Sequence, residues 1–114
     1  MISKISLQET IQKTTSGEIS PVDLVEYSYE QIEKHNPSLN AIVSLKKKSL
    51  VIKEAESLLK KKHNEQKLLF GIPLAVKDLF DVKDLPTTFG LPRFKNNIAK
   101  KNSCLLYTSD AADE

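Results

Sequence analysis

The sequence predicts an α/β protein, and three features indicate this class. Apolar residues recur at helical spacing in three segments. Two shorter segments, 39–45 and 74–77, are rich in residues that favour strands. The resulting order of helix, helix, strand, helix and strand is typical of a sheet with helices packed on it. A chain of 114 residues forms one domain at most.

The first helix is predicted over residues 7–15 and the second over residues 21–35. Each follows a serine, Ser6 or Ser20, that stands three residues before an acidic side chain, which is the pattern of a helix N-cap. The Asn36-Pro37 pair is expected to end the second helix, because proline cannot continue a helix without losing a hydrogen bond. Together the two helices are expected to form a helical hairpin.

The rest of the chain is expected to supply two strands around a third helix. The first strand is predicted over Leu39–Leu45, and the helix from about Lys48 to Lys62. The second strand is predicted over Leu74–Lys77. Pro73 should stand at its first position or on a sheet edge, because proline has no N–H to donate to a ladder.

Composition and charge exclude several classes of function. The net charge is only +2, and every basic residue except Arg93 is lysine, which argues against specific nucleic-acid recognition. The lysine clusters 46–48 and 60–62 are therefore interpreted as solvated faces, with a lysine-rich nucleic-acid binder as a minor alternative. No apolar run is long enough to span a bilayer, and no signal sequence opens the chain. A soluble cytoplasmic protein without a membrane partner is expected.

The segment from Gly71 to Gly90 carries the strongest functional signal. It reads GIPLAVKDLFDVKDLPTTFG, so an apolar run ends at Lys77 and a dense set of turn formers follows. A lysine at the end of a buried strand is costly unless a site uses it, since desolvation favours the neutral amine that can act as a base. The pattern resembles the amidase signature family, whose members share GIP, then KD, then PTTxG. A weaker resemblance extends from the N-terminus to Ser103.

This resemblance implies a function and a catalytic residue. The lysine of the family motif is catalytic and corresponds to Lys77, one member of a Ser–Ser–Lys triad that hydrolyses amides through an acyl-enzyme. The family places both serines in a Gly/Ser-rich segment further along the chain, and this sequence contains only three glycines. We therefore expect an N-terminal helical hairpin plus the first strands of the mixed-sheet amidase signature fold, truncated and inactive alone. A small amide substrate and no cofactor are expected, and the oligomeric state is left open.

The last eleven residues, Cys104-Leu105-Leu106-Tyr107-Thr108-Ser109-Asp110-Ala111-Ala112-Asp113-Glu114, resemble a translated sequencing adapter. Their codons can be written as a transposase-type library adapter read in frame, and such a segment would be no part of the native fold. The alternative is a native polar tail. We therefore expect residues 1–103 to be the N-terminal part of an amidase signature domain and residues 104–114 to be non-native. The only cysteine lies in this tail, so no disulfide and no thiolate metal site is expected in the remainder.

Several polar residues near Lys77 admit two interpretations. Asp78 and Asp81 could bind a metal ion, but aspartates after a strand more often cap turns, and no histidine or cysteine stands nearby. No metal site is therefore expected. Thr87, Thr88 and Gly90 are expected to order the loop beside the lysine, with direct substrate contact as the alternative. The two histidines, His35 and His63, are assigned no catalytic role.

Two kinds of amidase remain possible, and so does a protein of another class. One is a free-standing amidase that acts on small amides. The other is the glutaminase subunit of a tRNA-dependent amidotransferase, which usually reads K-D-N-(I/L) where this sequence has Leu79-Phe80 after Lys77-Asp78. That departure favours the free-standing enzyme. Outside the family, a small helical interaction module without chemistry remains open.

Overall fold

The structure is a computed structural model that describes residues 2–61 and 67–104. These residues divide into two compact units, one ending at Pro73 and the other beginning at Leu74. The first unit contains all three α-helices of the described residues, and the second contains loops and one short 3-10 turn. The elements are, in chain order, a 3-10 turn at Ile2–Lys4, α1 (Leu7–Thr15), α2 (Pro21–Leu39), α3 (Lys48–Leu59) and a second 3-10 turn at Pro92–Phe94.

Both of the first two helices begin where the sequence predicts, and local side-chain hydrogen bonds explain why. Glu9 N donates to Ser6 Oγ at 3.1 Å, while Ser6 N donates to the Glu9 carboxylate at 2.8 Å. Ser20 and Asp23 form the same reciprocal pair, at 3.1 and 2.9 Å. Pro21 then occupies the first turn, where its missing N–H costs nothing. The predicted α1 is confirmed over residues 7–15.

The end of α2 differs from the prediction, because the helix continues through Pro37 to Leu39. Asn40 ends it instead, in a left-handed conformation (φ 49°) with its N–H bound to Asn36 O at 2.7 Å. Asn36 also holds the following loop: its Oδ1 accepts from Ile42 N at 2.8 Å and its Nδ2 donates to Ile42 O at 2.9 Å. This asparagine cap outweighs the proline as a stop signal.

The core of the first unit lies between α2 and α3. Val25 and Tyr29 of α2 and Ala55 of α3 are buried together, with Val22, Val51 and Ile52 packed around them. Tyr29 Oη also donates to Lys46 O at 2.5 Å and so fixes the loop that precedes α3. The core of this unit therefore comes from the contact of α2 with α3, and not from the predicted hairpin of α1 with α2.

The two predicted strands are absent from the described residues. Leu39 ends α2, and residues 40–47 and 72–77 are loops. Pro86 and Ile98 form an isolated antiparallel bridge, and no described segment forms a ladder with either predicted strand. A strand needs a neighbour to receive its backbone hydrogen bonds, which these loops lack here. The third helix also ends earlier than predicted, at Leu59.

None of the helices that the structure describes combines the length and the apolar character that crossing a bilayer requires. Few apolar side chains of the described residues are buried, and those that form the hydrophobic core are Ile19, Leu24, Val25, Tyr29 and Ala55. A larger set is exposed, namely Leu7, Leu39, Val43, Leu45, Leu50, Leu59, Leu68, Leu74, Leu79, Phe80, Phe89, Leu91 and Ile98.

Candidate functional site

Lys77 lies at the start of a tight turn in the second unit. Its carbonyl oxygen accepts hydrogen bonds from Leu79 N at 2.7 Å and from Phe80 N at 3.1 Å. The side chain of Lys77 is exposed. The expectation of a desolvated lysine at the end of a buried strand is therefore wrong for this structure, because no described sheet surrounds it. The amine is free to reach a partner outside its own turn.

Asp78, the residue after Lys77, binds the loop that contains Thr88. Its Oδ1 accepts from Thr88 N at 2.7 Å, and its Oδ2 accepts from Thr88 Oγ1. Its carbonyl oxygen accepts from Phe89 N at 3.2 Å. The hydrogen bond from the Thr88 side chain lowers the pKa of Asp78, with help from the backbone N–H groups of Thr88 and Gly90 and against partial desolvation. The carboxylate form is thus the one that the loop stabilises.

Asp81 holds the other threonine of the same loop. Thr87 Oγ1 donates to Asp81 Oδ1 at 2.7 Å, and Thr87 is only 1% exposed. The backbone of Thr87 pairs with Asn97: Thr87 N donates to Asn97 O, and Asn97 Nδ2 donates to Thr87 O, both at 2.9 Å. The Asp81 carbonyl also accepts from Ser103 N at 2.9 Å. Thr87 is therefore held by Asp81 and Asn97, while Thr88 is held by Asp78.

A tight turn at Thr88–Leu91 follows the two threonines. Leu91 N donates to Thr88 O at 2.8 Å, and both central residues are left-handed, with φ 53° at Phe89 and φ 72° at Gly90. These angles fit a type I′ turn, in which a phenylalanine is unusual. The Phe89 ring packs edge-to-face on Phe94, with centroids 5.7 Å apart. Sequence reasoning missed this turn, since the usual Asn-Gly or Asp-Gly signal is absent.

Asp78 and Asp81 hold the loop at Thr87 and Thr88. Both carboxylates accept threonine hydroxyls, as expected for aspartates that order turns. The described residues contain no group of three or more histidine, cysteine, aspartate or glutamate side chains placed to hold a metal ion. His35 is exposed in the first unit, and His63 lies outside the described residues. Cys104 is exposed and free, and residues 105–114 of the predicted non-native tail lie outside the described part.

Comparison with known proteins assigns the chain to a family. The model of the family described as Amidase matches residues 23–112, a range that includes Lys77 and the whole loop from Thr87 to Gly90. The chain belongs to the amidase family. The predicted family is therefore confirmed, and membership supports an α/β fold for a complete amidase, although the described residues form no strands.

The relatives that the chain matches are named for different activities. It is 34% identical over 104 residues to an acylamidase of Rhodococcus erythropolis, covering 90% of this chain and 22% of the relative. It is 33% identical over 99 residues to an indoleacetamide hydrolase of Bradyrhizobium diazoefficiens, covering 86% and 19%. It is 38% identical over 86 residues to a glutamyl-tRNA(Gln) amidotransferase subunit of Staphylococcus epidermidis, covering 70% and 18%. The chain thus spans about a fifth of the length of the curated relatives it matches.

Proposed function

We propose that this chain is part of an amide hydrolase in which Lys77 is the catalytic base. The observation that carries the proposal is the family match, which includes Lys77 and the loop beside it. The backbone of Lys77 is bound in a turn while its side chain is exposed, so other parts of a complete enzyme could reach the amine. Relatives named acylamidase and indoleacetamide hydrolase support amides as the substrate class.

The proposed chemistry follows a Ser–Ser–Lys triad. Lys77 takes a proton from a bridging serine, and that serine deprotonates the nucleophilic serine. The nucleophile attacks the amide carbonyl, and the proton taken up by Lys77 returns through the bridging serine to the departing nitrogen, which leaves as the amine or ammonia. An acyl-enzyme remains until water hydrolyses it. Both serines would come from a Gly/Ser-rich segment beyond this sequence, which has three glycines in all. The chain by itself is therefore expected to hydrolyse nothing by this route.

We further propose that residues 1–103 are the N-terminal part of a longer amidase domain, and that residues 104–114 are adapter-derived. The short span relative to the curated relatives supports the first part of this proposal, whereas the second part rests on the resemblance of residues 104–114 to translated adapter. The exposed apolar side chains support it as well, because covering them needs more chain than is present. The same surroundings would also withdraw Lys77 from water, as its proposed role requires. We place the complete enzyme in the cytoplasm and assign it no cofactor.

The first experiment is to sequence the source DNA across the Ser103–Cys104 junction with adapter-free primers. A reading frame that continues into serines among glycines supports the proposed enzyme. A native stop codon after residue 114 contradicts it and favours a small helical interaction module. Neither result depends on whether the short chain folds.

The second experiment tests Lys77 in the complete polypeptide. We expect Lys77→Ala to lower kcat for a small amide by roughly a hundredfold to ten-thousandfold, the usual contribution of a general base. Lys77→Arg should be equally impaired, because a guanidinium stays protonated. Lys83→Ala, which removes an exposed lysine of the same unit, is the matched control. Full activity in Lys77→Ala contradicts the proposal.

A second candidate is the glutaminase subunit of a tRNA-dependent amidotransferase, favoured by the 38% identity to a glutamyl-tRNA(Gln) amidotransferase subunit. In that case the amide substrate would be glutamine and the product would be ammonia. The reaction would also require partner subunits and tRNA. The Leu79-Phe80 pair departs from that subunit's usual sequence and favours the free-standing enzyme. The purified complete polypeptide decides between them: turnover of small amides without partners supports the free-standing amidase. Glutamine hydrolysis that appears only with partner subunits supports the amidotransferase.

A further inference from the structure

We propose that Asp78 is a positioning residue for Lys77, which acts by fastening the loop at Thr88–Gly90 to the turn that Lys77 begins. This inference rests on the proposed catalytic role of Lys77. Asp78 itself is not assigned contact with substrate, and its carboxylate is not assigned to a metal ion.

Three hydrogen bonds from the loop end on this single residue. The N–H and the hydroxyl of Thr88 bind the two carboxylate oxygens, and the N–H of Phe89 binds the carbonyl oxygen. One residue earlier, the Lys77 carbonyl accepts from the N–H groups of Leu79 and Phe80. The backbone at Lys77 is thus held between its own turn and the loop, while its side chain is exposed.

Both oxygens of a carboxylate are needed for this arrangement. The hydroxyl of Thr88 donates to one oxygen of Asp78 and at the same time accepts from Gly90 N at 3.2 Å. An asparagine at position 78 has one acceptor oxygen and turns an N–H donor toward either the Thr88 N–H or the Thr88 hydroxyl. In the first orientation the Thr88 N–H loses its acceptor, and in the second the hydroxyl has to reverse its hydrogen bond or lose it. A neutral isostere should therefore loosen the loop although its size is unchanged.

Asp81 attaches the loop at a second point, so loosening of the turn at residues 88–90 can be distinguished from unfolding of the unit. Thr87 stays buried against Asp81 and Asn97 through bonds that do not involve Asp78. Loss of the Asp78 carboxylate should therefore free the turn at residues 88–90 without unfolding the unit. The expected defect is a misplaced Lys77, and not the loss of the protein.

The test uses the complete polypeptide with four variants. Asp78→Asn removes the carboxylate, and Thr88→Val removes the hydroxyl at the other end of the bond. Thr88→Ser keeps the hydroxyl. Asp84→Asn removes a nearby exposed charge at a left-handed position (φ 69°), which asparagine also tolerates. Hydrogen exchange of a peptide that contains the Thr88 amide is measured by mass spectrometry, together with kcat and KM for a small amide.

We expect exchange in this peptide to accelerate about tenfold in Asp78→Asn and Thr88→Val, since a charge-assisted hydrogen bond is lost. In the same variants kcat should fall roughly tenfold to a hundredfold, because a misplaced catalytic group costs about this much, with KM little changed. Thr88→Ser and Asp84→Asn should resemble the unaltered protein. A purely structural role would instead lower the amount of folded enzyme and leave its kcat unchanged.

Unchanged exchange and unchanged kcat in Asp78→Asn overturn the inference, as does faster exchange with full kcat. Lys77→Ala, measured in parallel, separates this failure from that of the proposed function. If Lys77→Ala is inactive and Asp78→Asn is fully active, only the positioning role is wrong. If Lys77→Ala is active, the proposed function is wrong and the positioning role falls with it.

Discussion

Replacing Gly71 with alanine should destabilise the first unit more than the same change at Gly17. Both glycines are left-handed, with φ 80° at Gly71 and φ 82° at Gly17. A Cβ built on Gly17 meets nothing within 4 Å. A Cβ built on Gly71 lies 2.8 Å from Pro21 Cγ and 3.4 Å from Pro21 Cβ. The two substitutions therefore have the same backbone cost, and only Gly71→Ala adds a steric overlap.

The magnitudes follow from these two terms. Alanine in the left-handed region costs about 1–2 kcal/mol, so Gly17→Ala should lower the free energy of unfolding by about that amount. An overlap that forces packed neighbours to shift adds about 1–3 kcal/mol, which gives about 2–5 kcal/mol for Gly71→Ala. Pro21 has little room to yield, because it is buried and fixed in the first turn of α2 behind the Ser20 cap.

Urea unfolding followed by far-ultraviolet circular dichroism measures this difference. All the α-helices of the described residues lie before Pro73, so the helical signal reports on the first unit. Pro21→Ala removes Cγ, and in the double variant with Gly71→Ala the extra cost should largely disappear. The double variant thus isolates the contact from any general effect of alanine.

Equal destabilisation by Gly71→Ala and Gly17→Ala would refute the reasoning. It would mean that the loop at Gly71 can move away from Pro21 at no cost. The glycine of the GIP motif would then be needed only for its backbone conformation, and its close approach to α2 would contribute nothing.

Two further outcomes follow from single contacts. Tyr29→Phe keeps the buried ring but leaves Lys46 O without its donor, so the free energy of unfolding should fall by about 1 kcal/mol in urea; no change would mean that the bond has no net value. Because the pKa of Asp78 is lowered in the folded state, its contribution to stability is present above the ordinary value of 3.8 and is lost as pH falls through the lowered value. The NMR signal of the Thr88 amide should show this acid transition, and Asp78→Asn should remove it; a transition that persists in the variant belongs to another group.

The sequence located the helix starts because their causes are local. Ser6 and Ser20 bind atoms three residues away, so the pattern is visible in four consecutive letters. The predicted end of α2 at Asn36-Pro37 is wrong, since the helix continues through Pro37 and ends at the asparagine cap, Asn40. The predicted strands failed for a different reason: a strand depends on a partner segment, and no described segment provides one.

In the candidate site, too, the sequence predicted the local features but not the contacts between distant residues. The motif alone singled out Lys77 and indicated that the neighbouring threonines order a loop. It could not match each acid to its threonine, because Asp78 and Thr88 are ten residues apart in the chain. The left-handed Phe89 was equally invisible, since phenylalanine has no preference for that conformation.

The sequence by itself therefore determined the family, the starts of α1 and α2, and the lysine on which the proposed chemistry depends. These conclusions rest on residue identity and on contacts within one helical turn. Only the tertiary structure decided that α2 packs on α3, that Gly71 lies against Pro21, and that Asp78 and Asp81 hold Thr88 and Thr87. Contacts between distant residues depend on how the chain folds back on itself, and the spacing of residues along the chain does not specify that path.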